Sequence, residues 1–495
     1  MRKELLVNAT PPETRVALLE DGRTVEVLHE RRSRQALVGN IYLGRVHRVL
    51  PGMQAAFVSI GLERDAFLYV EDVLPPSIDS NGNGETEEAS LDRADRPRID
   101  DLVKEGQEFV VQVTKDALAG KGPRVTANLS LPGRTLVYLP GVREIGISRR
   151  ITDEDERERL RQILEALPAD GGFIARTAAA GSSSAEFAAD RSYLTELADR
   201  IFRKVETSSA PALLHRELDL ALRSVRDLVT GDFEAIRVDD EETHARLSEF
   251  LGAVAPPLAY RLELYRDEAP IFETYGVEAE IESALRSRVP LPSGGSIVVH
   301  QTEALVAIDI NTGKYVGKED LEETVFSTNL EAIPEVARQI RLRDLGGLLV
   351  VDFIDMLDLG HRREVFDRFE AELGKDRARF RMLPVSEFGL IEITRQRSRG
   401  NLEKLLTRSC PDCGGSGRVK TDLTVALEMR RALLAPPVLF VAGETVTVRV
   451  RPSLVRFLAE DEPELLSDVA RTLGVKVELV TDETLPPARY EIVRA

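Results

Sequence analysis

Two aspartates stand at the ends of two apolar segments of the sequence. The segment at residues 304–308 runs into Asp309, and the segment at residues 348–351 runs into Asp352. Continuous aliphatic runs of this length are typical of strands buried on both faces. Because open sheets build their sites at strand ends, we expect the two carboxylates to share one metal ion. Such hard oxygen ligands suit Mg²⁺ or Mn²⁺, which combine one or two carboxylates with water and substrate phosphate.

The polar neighbours of the two aspartates favour the same chemistry. Asn311 follows Asp309 by two residues, so its amide can hold the Asp309 carboxylate in one orientation. Asp355 provides a second carboxylate three residues after Asp352. A segment with three arginines, residues 338–343, lies between the two strands, and we expect it to contact phosphate. The alternative is that each aspartate only caps a helix or starts a turn. The combination favours metal-dependent phosphodiester chemistry.

The two cysteines of the chain, Cys410 and Cys413, have the spacing of a zinc knuckle. Tetrahedral zinc needs four ligands, so the simplest completion is a second pair of thiolates from another copy of the chain. Histidines of the same chain are a second way to complete the site. A redox pair is the third alternative, but such motifs begin a thioredoxin-like βαβ unit, which we do not predict here. We favour a shared zinc and therefore a dimer.

Length and composition limit the class of protein. A chain of 495 residues predicts about three domains. There is no apolar run long enough to span a membrane and no signal-peptide pattern, so we expect a cytoplasmic protein with reduced thiols. The formal net charge of −18 argues against general polyanion binding, although a local basic groove for RNA remains compatible with it.

The first part of the chain is typical of β-structure. Residues 15–28 predict a hairpin, and residues 38–127 predict a five-stranded barrel of the OB type. Aromatic residues on such a barrel, with lysines nearby, would stack bases and bind phosphates; the candidates are Phe57, Phe67, Tyr69, Lys115 and Lys121. The alternative is that the aromatic residues belong to the core. Residues 74–98 predict a disordered loop between barrel strands.

The middle of the chain contains a second candidate phosphate site. A strand at residues 171–175 ends in Arg176 and Thr177, whose donors can bind phosphate, although an exposed loop is the alternative. Residues 187–230 have a helical pattern. A strand at residues 233–238 would complete the sheet that the N-terminal hairpin begins, which would make the barrel and the Arg176 unit insertions in one domain.

With these motifs in view, the chain resembles the bacterial RNase E/G family of endoribonucleases. The most specific segments are residues 307–313, 337–343, 351–356 and 410–413, and residues 39–46 and 55–67 are similar to the RNA-binding barrel of that family. Members of the E type usually continue into a long disordered scaffold, which this sequence does not contain, so we expect the shorter, G type of member.

The resemblance implies a multidomain α/β (α+β) fold. The expected division is 1–37 and 221–284 for an RNase H-like subdomain, 38–130 for an OB-fold RNA-binding barrel, 131–220 for a 5′-phosphate sensor domain, 285–406 for a DNase I-like catalytic subdomain, 407–419 for a zinc link and 420–495 for a small α/β domain.

The resemblance also implies roles for individual residues. Asp309 and Asp352 would bind Mg²⁺, with Asn311 orienting Asp309, and Cys410 with Cys413 would hold a zinc ion shared between two chains. Residues that match the family's pocket for a 5′-monophosphate end are Gly133, Val137, Arg176, Thr177 and Arg379. Residues that match the RNA-holding side chains of the barrel are Phe57, Phe67 and Lys121.

The implied activity is hydrolysis of single-stranded RNA at internal phosphodiesters, leaving a 5′-phosphate and a 3′-hydroxyl, in rRNA processing and mRNA decay. Members of the family form homodimers and often homotetramers. The alternatives from other classes are a non-catalytic RNA-binding or ribosome-assembly factor that uses the barrel alone, and a DNA nuclease.

Overall fold

The computed structural model describes residues 2–31, 36–74, 97–117, 121–143, 145–168, 171–313, 321–386, 388–396, 401–435, 441 and 443–494. The chain divides into two compact units, Met1–Leu402 and Glu403–Ala495. The insertion predicted as disordered, residues 74–98, lies outside the described residues except at its ends. Among the described helices, none combines the length and the apolar composition that crossing a bilayer requires.

Within the described residues the strands are β1 (Lys3–Thr10), β2 (Glu13–Glu20), β3 (Arg23–Arg31), β4 (Ile41–Leu50), β5 (Ala55–Ser59), β6 (Ala66–Tyr69), β7 (Glu108–Lys115), β8 (Arg124–Thr126), β9 (Leu131–Pro132), β10 (Leu136–Leu139), β11 (Ile145–Ile147), β12 (Gly172–Ala175), β13 (Ala212–His215), β14 (Phe233–Val238), β15 (Leu262–Leu264), β16 (Arg288–Pro290), β17 (Ser296–Gln301), β18 (Leu305–Asn311), β19 (Gly347–Asp352), β20 (Phe380–Met382), β21 (Leu390–Arg395), β22 (Thr445–Val450), β23 (Lys476–Thr481) and β24 (Glu491–Arg494). The α-helices are α1 (Ile99–Leu102), α2 (Glu154–Glu165), α3 (Ser184–Thr207), α4 (Leu220–Leu228), α5 (Glu241–Val254), α6 (Ile271–Thr274), α7 (Val277–Ala284), α8 (Leu321–Leu342), α9 (Leu359–Leu373), α10 (Leu402–Leu406), α11 (Asp422–Leu434), α12 (Pro452–Glu460) and α13 (Pro463–Leu473).

The N-terminal strands belong to a five-stranded sheet with the order β15-β14-β1-β2-β3. The β2–β3 hairpin turns at Asp21 and Gly22, which both have positive φ, as a tight two-residue hairpin turn requires. β1 pairs in parallel with β14, more than 200 residues later in the chain. This pairing confirms that the strand at residues 233–238 extends the sheet of the N-terminal hairpin.

The strands between the two parts of that sheet include a closed barrel. Its order is β4-β5-β6-β8-β7, and β4 also pairs with β7, which closes the ring. The prediction of an OB-like five-stranded barrel is therefore confirmed. β13 adds to the barrel by pairing with β4, so the prediction that residues 187–230 are helical throughout is wrong at this strand. The hydrophobic face of β13 is too short to stand out beside two flanking helices.

The region between the barrel and α4 forms a four-stranded sheet with the order β11-β12-β10-β9. α2 and α3 share its apolar core, in which Leu160, Phe173, Phe187 and Leu194 are fully or almost fully buried. α3 begins with a capping box between Ser183 and Glu186, which fixes its first turn. This sheet carries the strand that ends at Arg176.

The sheet that carries Asp309 and Asp352 has the order β16-β17-β18-β19-β21-β20. β18 and β19 are parallel, and the long helix α8 connects them as a crossover. Val306, Ile308 and Val351 point into a core with residues of α8 and α9. The intervening residues of both strands are only half-buried or exposed. The prediction of strands buried on both faces is therefore wrong, because helices cover only one face.

The second unit contains a three-stranded sheet with the order β23-β22-β24, in which β22 and β23 are parallel. α11, α12 and α13 supply its core, which includes Met429, Leu454 and Val469. The two cysteines precede α11, so they lie upstream of the β22–β23 crossover. The division of the chain into the smaller domains named above stays a prediction.

Candidate active site

The two aspartates are direct partners in the sheet. In the parallel pair of β18 and β19, Asp309 stands opposite Asp352 in register. Because neighbouring strands lie about 4.8 Å apart and paired residues share a face, the two carboxylates project side by side. Both are exposed, and they lie on the half-exposed face, away from the α8 and α9 core. The sheet thus brings together two acids that are distant in the sequence.

Asn311 lies on the same face as Asp309, two residues further along β18. Its Nδ2 donates a hydrogen bond of 2.7 Å to Asp309 Oδ2. One carboxylate oxygen is therefore held, and rotation of the Asp309 side chain is restricted. The contact is the one expected from the spacing of the two residues, while the catalytic role of Asn311 stays a prediction.

The electrostatics of the pair favour a bound cation. Partial burial raises the pKa of Asp352, and the negative charges of Asp309 and Asp355 raise it further. A divalent cation would relieve this repulsion. Within the described ranges, no three acidic, histidine or cysteine side chains form a ready-made metal cage. This donor set fits an ion such as Mg²⁺, which keeps several waters and needs only one or two carboxylates.

The loop after β19 is fixed by α8. Asn329 donates to the Ile354 carbonyl at 2.9 Å and accepts from the Ile354 N–H at 3.1 Å. Glu322 accepts hydrogen bonds from the N–H groups of Leu357 and Asp358. These contacts hold the segment that contains Asp355 next to the carboxylate pair.

The predicted phosphate contact of residues 338–343 is wrong, because the arginines of this segment are buried and paired. Arg338 is held by Glu335, Glu280 and the carbonyl oxygen of Thr24, at distances of 2.6 to 2.9 Å. Arg341 makes two bonds to Glu20, and Arg343 Nε donates to Gln339. Arg338 and Arg341 therefore join α8 to strands β3 and β2 of the first sheet. Lys314 and Lys318, two further cations between the two aspartates in the sequence, lie outside the described residues.

The predicted phosphate-sensor residues lie in and around the β9–β12 sheet. Arg176 follows β12 directly; its Nη1 donates to the Gly133 carbonyl and its Nη2 to Asp227 Oδ1 at 2.8 Å. Thr177 Oγ1 lies 3.0 Å from Ser148 Oγ. Val137 pairs with Ile174 in the same sheet.

Arg379 reaches this region from another part of the chain. Arg150, shortly after β11, donates to the carbonyl oxygen of Arg377. Burial lowers the pKa of Arg150, and the nearby charges of Arg379 and Arg377 lower it further. Arg379 therefore lies close enough to Arg150 for their charges to interact, while its part in a phosphate site stays a prediction.

Two acids that the sequence did not single out hold the predicted phosphate-binding residues in place: Asp190 holds the loop at residues 133–136, and Asp227 holds Arg176. Asp190 of α3 is fully buried and accepts hydrogen bonds from the N–H groups of Arg134, Thr135 and Leu136. Its carboxylate leaves no space for a Cβ at Gly133, which explains the glycine there. Asp190 could have been found, because it occupies an apolar position in the periodic pattern of α3.

Asp227, the second acid, gives no such signal in the sequence. Burial acts to raise its pKa, but the hydrogen bond and charge of Arg226, together with Arg176, hold the pKa below its usual value. A charged Asp227 keeps the Arg176 guanidinium in a fixed orientation.

The aromatic candidates of the barrel face outward. On β5 and β6, Ala56, Val58, Ala66 and Leu68 are fully buried, whereas the alternating Phe57, Phe67 and Tyr69 are half-buried or exposed. Phe57 and Phe67 are cross-strand partners with ring centroids 5.6 Å apart, and Phe67 and Tyr69 have centroids 4.5 Å apart. Arg124 lies over the Tyr69 ring, 4.7 Å from its centroid. The alternative that these rings belong to the barrel core is wrong.

Lys121 is exposed and close to this aromatic row in the fold. It precedes Gly122 and Pro123, and the Pro123 carbonyl accepts a hydrogen bond of 2.8 Å from the N–H of Phe67. A cation beside outward-facing aromatic rings has the composition of a surface that stacks bases and binds phosphates.

The two cysteines lie in a glycine-rich turn in the second unit. Cys410 is exposed and Cys413 is half-buried, and the Gly417 N–H donates to Cys413 Sγ at 3.3 Å. Hydrogen bonds from the N–H groups of Gly417 and Gly415 lower the pKa of the Cys413 thiol. Such donors stabilise the thiolate, which is the form of cysteine that binds metal, so the turn suits metal binding.

The fold and the site together define the class of protein. It is a mixed α/β protein that combines an oligonucleotide-binding type of barrel, with aromatic rings on its outer face, and a pair of carboxylates that suits a hard cation.

Comparison with known proteins gives the family. The sequence profile described as "Ribonuclease E/G family" matches residues 130–398, and that described as "RNase E/G, Thioredoxin-like domain" matches residues 409–495. The chain is 41% identical to Ribonuclease G of Escherichia coli (strain K12) over 494 residues, covering all of both chains. It is 40% identical to Ribonuclease G of Haemophilus influenzae, covering 99% of both. It is 36% identical to Ribonuclease E of Escherichia coli (strain K12), covering 99% of this chain and 46% of that protein.

This chain therefore belongs to the Ribonuclease E/G family, whose nucleases are in general metal-dependent. The thioredoxin-like match also bears on the cysteines. The prediction that the chain lacks a thioredoxin-like βαβ unit is wrong, because β22 and β23 form a parallel crossover in the second unit, although this crossover follows the cysteines and α11. Cys410 and Cys413 are thus not at the start of the βαβ unit, where redox pairs of this spacing lie.

Proposed function

We propose that this protein is an endoribonuclease that hydrolyses internal phosphodiesters of single-stranded RNA with the help of Mg²⁺, in rRNA processing and mRNA decay. The observation that carries the proposal is the in-register pairing of Asp309 with Asp352. Relatives named Ribonuclease G that match along the full chain support it. The products would be a 5′-phosphate and a 3′-hydroxyl.

The side chains of the site would divide the work. Asp309 and Asp352 would hold the Mg²⁺, which when bound would supply charge neutralisation and water activation. Asn311 keeps Asp309 in one orientation through its 2.7 Å hydrogen bond. The barrel surface of Phe57, Phe67 and Lys121 would hold unpaired RNA, because single strands expose base faces for stacking.

A gel assay with end-labelled RNA tests the proposal. The protein should cut single-stranded RNA in Mg²⁺ and leave it intact in EDTA, and single-stranded DNA should resist cleavage. The alternative of a non-catalytic RNA-binding factor is not favoured, because the full-length relatives are named ribonucleases. That alternative predicts binding without cleavage under every condition.

We further propose that Arg176 and Thr177, with Gly133, Val137 and Arg379, bind the 5′-monophosphate end of the RNA. The contacts of Arg176 to Gly133 and Asp227 support this, because they pre-orient a guanidinium at the end of a strand.

Arg176→Ala should remove the preference for 5′-monophosphate over 5′-triphosphate RNA. A hydrogen bond to a charged group contributes about 1.5–3 kcal/mol of binding free energy. We therefore expect the parent protein to prefer the monophosphate by about tenfold or more in kcat/KM. Thr177→Val should weaken the preference without removing the Arg176–Asp227 pair. Arg161→Ala, on the exposed side of α2, is the matched control and should retain the full preference. Equal rates on both RNAs in the parent protein would refute the sensor.

We also propose that Cys410 and Cys413 share a Zn²⁺ ion with the same residues of a second chain, which gives a homodimer and allows a homotetramer. The exposure of Cys410 and the N–H donor at the half-buried Cys413 support this. A cytoplasmic location would keep the thiols reduced, as zinc binding requires.

Changing Cys410 and Cys413 together to serine should remove about one zinc ion per two chains and yield monomers, since hydroxyl groups do not replace thiolates on zinc. Metal analysis and light scattering provide the measurements. Asp412→Ala, in the exposed position between the cysteines, should keep both the zinc and the dimer. A double-serine protein that stays dimeric would show that other contacts suffice, and a zinc-free parent protein would favour the redox alternative.

The finer domain division belongs with these proposals. We infer an RNase H-like subdomain from residues 1–37 and 221–284, with the barrel at 38–130 and the sensor at 131–220 as insertions. The parallel pairing of β1 with β14 supports this arrangement. The DNase I-like catalytic subdomain would be residues 285–406, followed by the zinc link at 407–419 and the small domain at 420–495.

A further inference from the structure

The carboxylate pair is bordered by unusually exposed apolar side chains. Among the described residues, the three large apolar side chains with the greatest exposure are Leu357 (86% exposed), Phe388 (82%) and Leu359 (76%). Leu357 and Leu359 lie just after β19, and Phe388 lies just before β21. Single exposed apolar residues are ordinary on protein surfaces, but a local concentration of them marks a binding surface.

Phe388 sits near the tip of a firmly built turn. The Gly389 N–H donates to the Ser386 carbonyl at 3.1 Å, and the Ser386 N–H donates to the Leu390 carbonyl at 2.9 Å. The Leu390 N–H also donates to Ser386 Oγ at 3.1 Å. Gly389 has a φ of +78°, which favours glycine and lets the turn close. Hydrogen bonds of Ser386, Gly389 and Leu390 therefore support the backbone next to the exposed ring.

The turn is adjacent to the carboxylates. Leu390 is the cross-strand partner of Asp352. A Cβ at Gly389 would lie only 3.0 Å from Asp355 Oδ1, so the turn packs against the acid that follows the pair. Strand spacing and rise then place Phe388 on the order of 10 Å from Asp352, within reach of a base whose phosphate lies at the pair.

The loop that carries Leu357 is equally well anchored. The Leu357 N–H donates to Glu322 Oε2 at 3.0 Å, and Arg362 Nε donates to the Met356 carbonyl at 2.7 Å. Apolar side chains held open by fixed backbones lose little conformational freedom when a flat ligand binds. The surface is thus prepared before any ligand arrives.

We propose that Phe388, with Leu357 in the neighbouring loop, forms a base-binding platform that stacks on an unpaired RNA base next to the scissile phosphate. The inference rests on the proposed function, because the carboxylate pair defines where the RNA strand passes. An aromatic ring offers the same face to every base, so the platform favours unpaired RNA over paired RNA and selects weakly among base types. It would act as a positioning surface for the bond to be cut.

Phe388→Ala tests the platform with short single-stranded RNAs that contain one cleavage site. Loss of one stacking contact should weaken binding in EDTA, measured by fluorescence anisotropy, and lower kcat/KM in Mg²⁺, each by about tenfold. RNAs with a single abasic nucleotide, moved position by position around the cleavage site, should identify one position at which the parent protein and the variant no longer differ. Phe388→Tyr should retain parental behaviour, because the ring is kept.

Tyr260→Ala is the matched control, since Tyr260 is an aromatic residue of similar exposure (75%) in the segment before β15. It should leave binding and cleavage unchanged. An equal loss for Phe388→Ala on intact and abasic RNA at every position, or no loss at all, would overturn the platform. A change of molecular mass in Phe388→Ala, with unchanged RNA binding, would instead assign the surface to contacts between chains. The binding arm decides the matter even if the parent protein fails to cut RNA, a failure that would count against the proposed function.

Discussion

Asp309→Asn and Asp352→Asn should each reduce RNA cleavage by about a thousandfold or more. Metal-assisted phosphodiester hydrolysis draws several kcal/mol of transition-state stabilisation from the cation, and each 1.4 kcal/mol is about tenfold in rate. Asparagine keeps the shape of the side chain but removes the negative charge that a hard cation needs. Single-turnover cleavage of end-labelled RNA in Mg²⁺ is the measurement.

RNA binding in EDTA should persist in both variants, because the barrel surface lies in another sheet of the same unit. Asp367→Asn, on the exposed face of α9, is the matched control and should cleave like the parent protein. Asn311→Ala should fall between the two, since it releases the Asp309 side chain without removing a carboxylate. Parental activity in either aspartate variant would remove the metal assignment.

Arg338→Ala should destabilise the packing of α8 on the first sheet by about 3 to 5 kcal/mol. Arg338 and Glu335 are both buried. Removing the Arg338 cation leaves Glu335 charged, with the more exposed Arg23 and the amide of Gln339 as its remaining partners. Burial acts to raise the pKa of Glu335, but its hydrogen bond and charge contact with Arg338 hold that pKa below its usual value. Hydrogen exchange of the α8 amides should therefore accelerate by about a hundredfold or more.

Two variants separate the effect of losing a charge from the effect of losing the buried contacts of Arg338. Arg363→Ala removes an arginine that is 85% exposed and lies 3.9 Å from Asp367, so α8 exchange should change by less than about 0.5 kcal/mol. Arg338→Lys should give an intermediate loss, because an ammonium cannot reach Glu335, Glu280 and the Thr24 carbonyl together. Unchanged α8 exchange in Arg338→Ala would show that the buried network contributes little.

The position of the carboxylate pair could be predicted from the sequence because strands impose a simple geometry. An apolar run followed by Asp309, and another followed by Asp352, indicates two strand ends. What the runs could not show is that the strands are neighbours in register, which depends on the α8 crossover. The half-exposed face of β18 and β19 could not be predicted either, because the sequence does not show whether helices cover one face of a sheet or both.

The arginines of α8 show where charge patterns mislead. Their partners Glu20 and Glu280 are distant in the sequence, so residues 338–343 look like an unpaired basic segment until the chain is folded. The barrel was easier to predict, because Phe57 and Phe67 alternate with the small or apolar residues that fill its interior. Whether those rings face inward or outward needed the strand register.

The most direct test of the central claim is the location of a divalent cation in crystals of the protein soaked with Mn²⁺. Anomalous scattering should reveal one ion that contacts carboxylate oxygens of both Asp309 and Asp352, at about 2.0–2.2 Å, near the distance expected for Mg²⁺. The ion should be absent from crystals of Asp352→Asn. An ion bound by only one of the two aspartates, or bound elsewhere while the parent protein cuts RNA, would contradict the account.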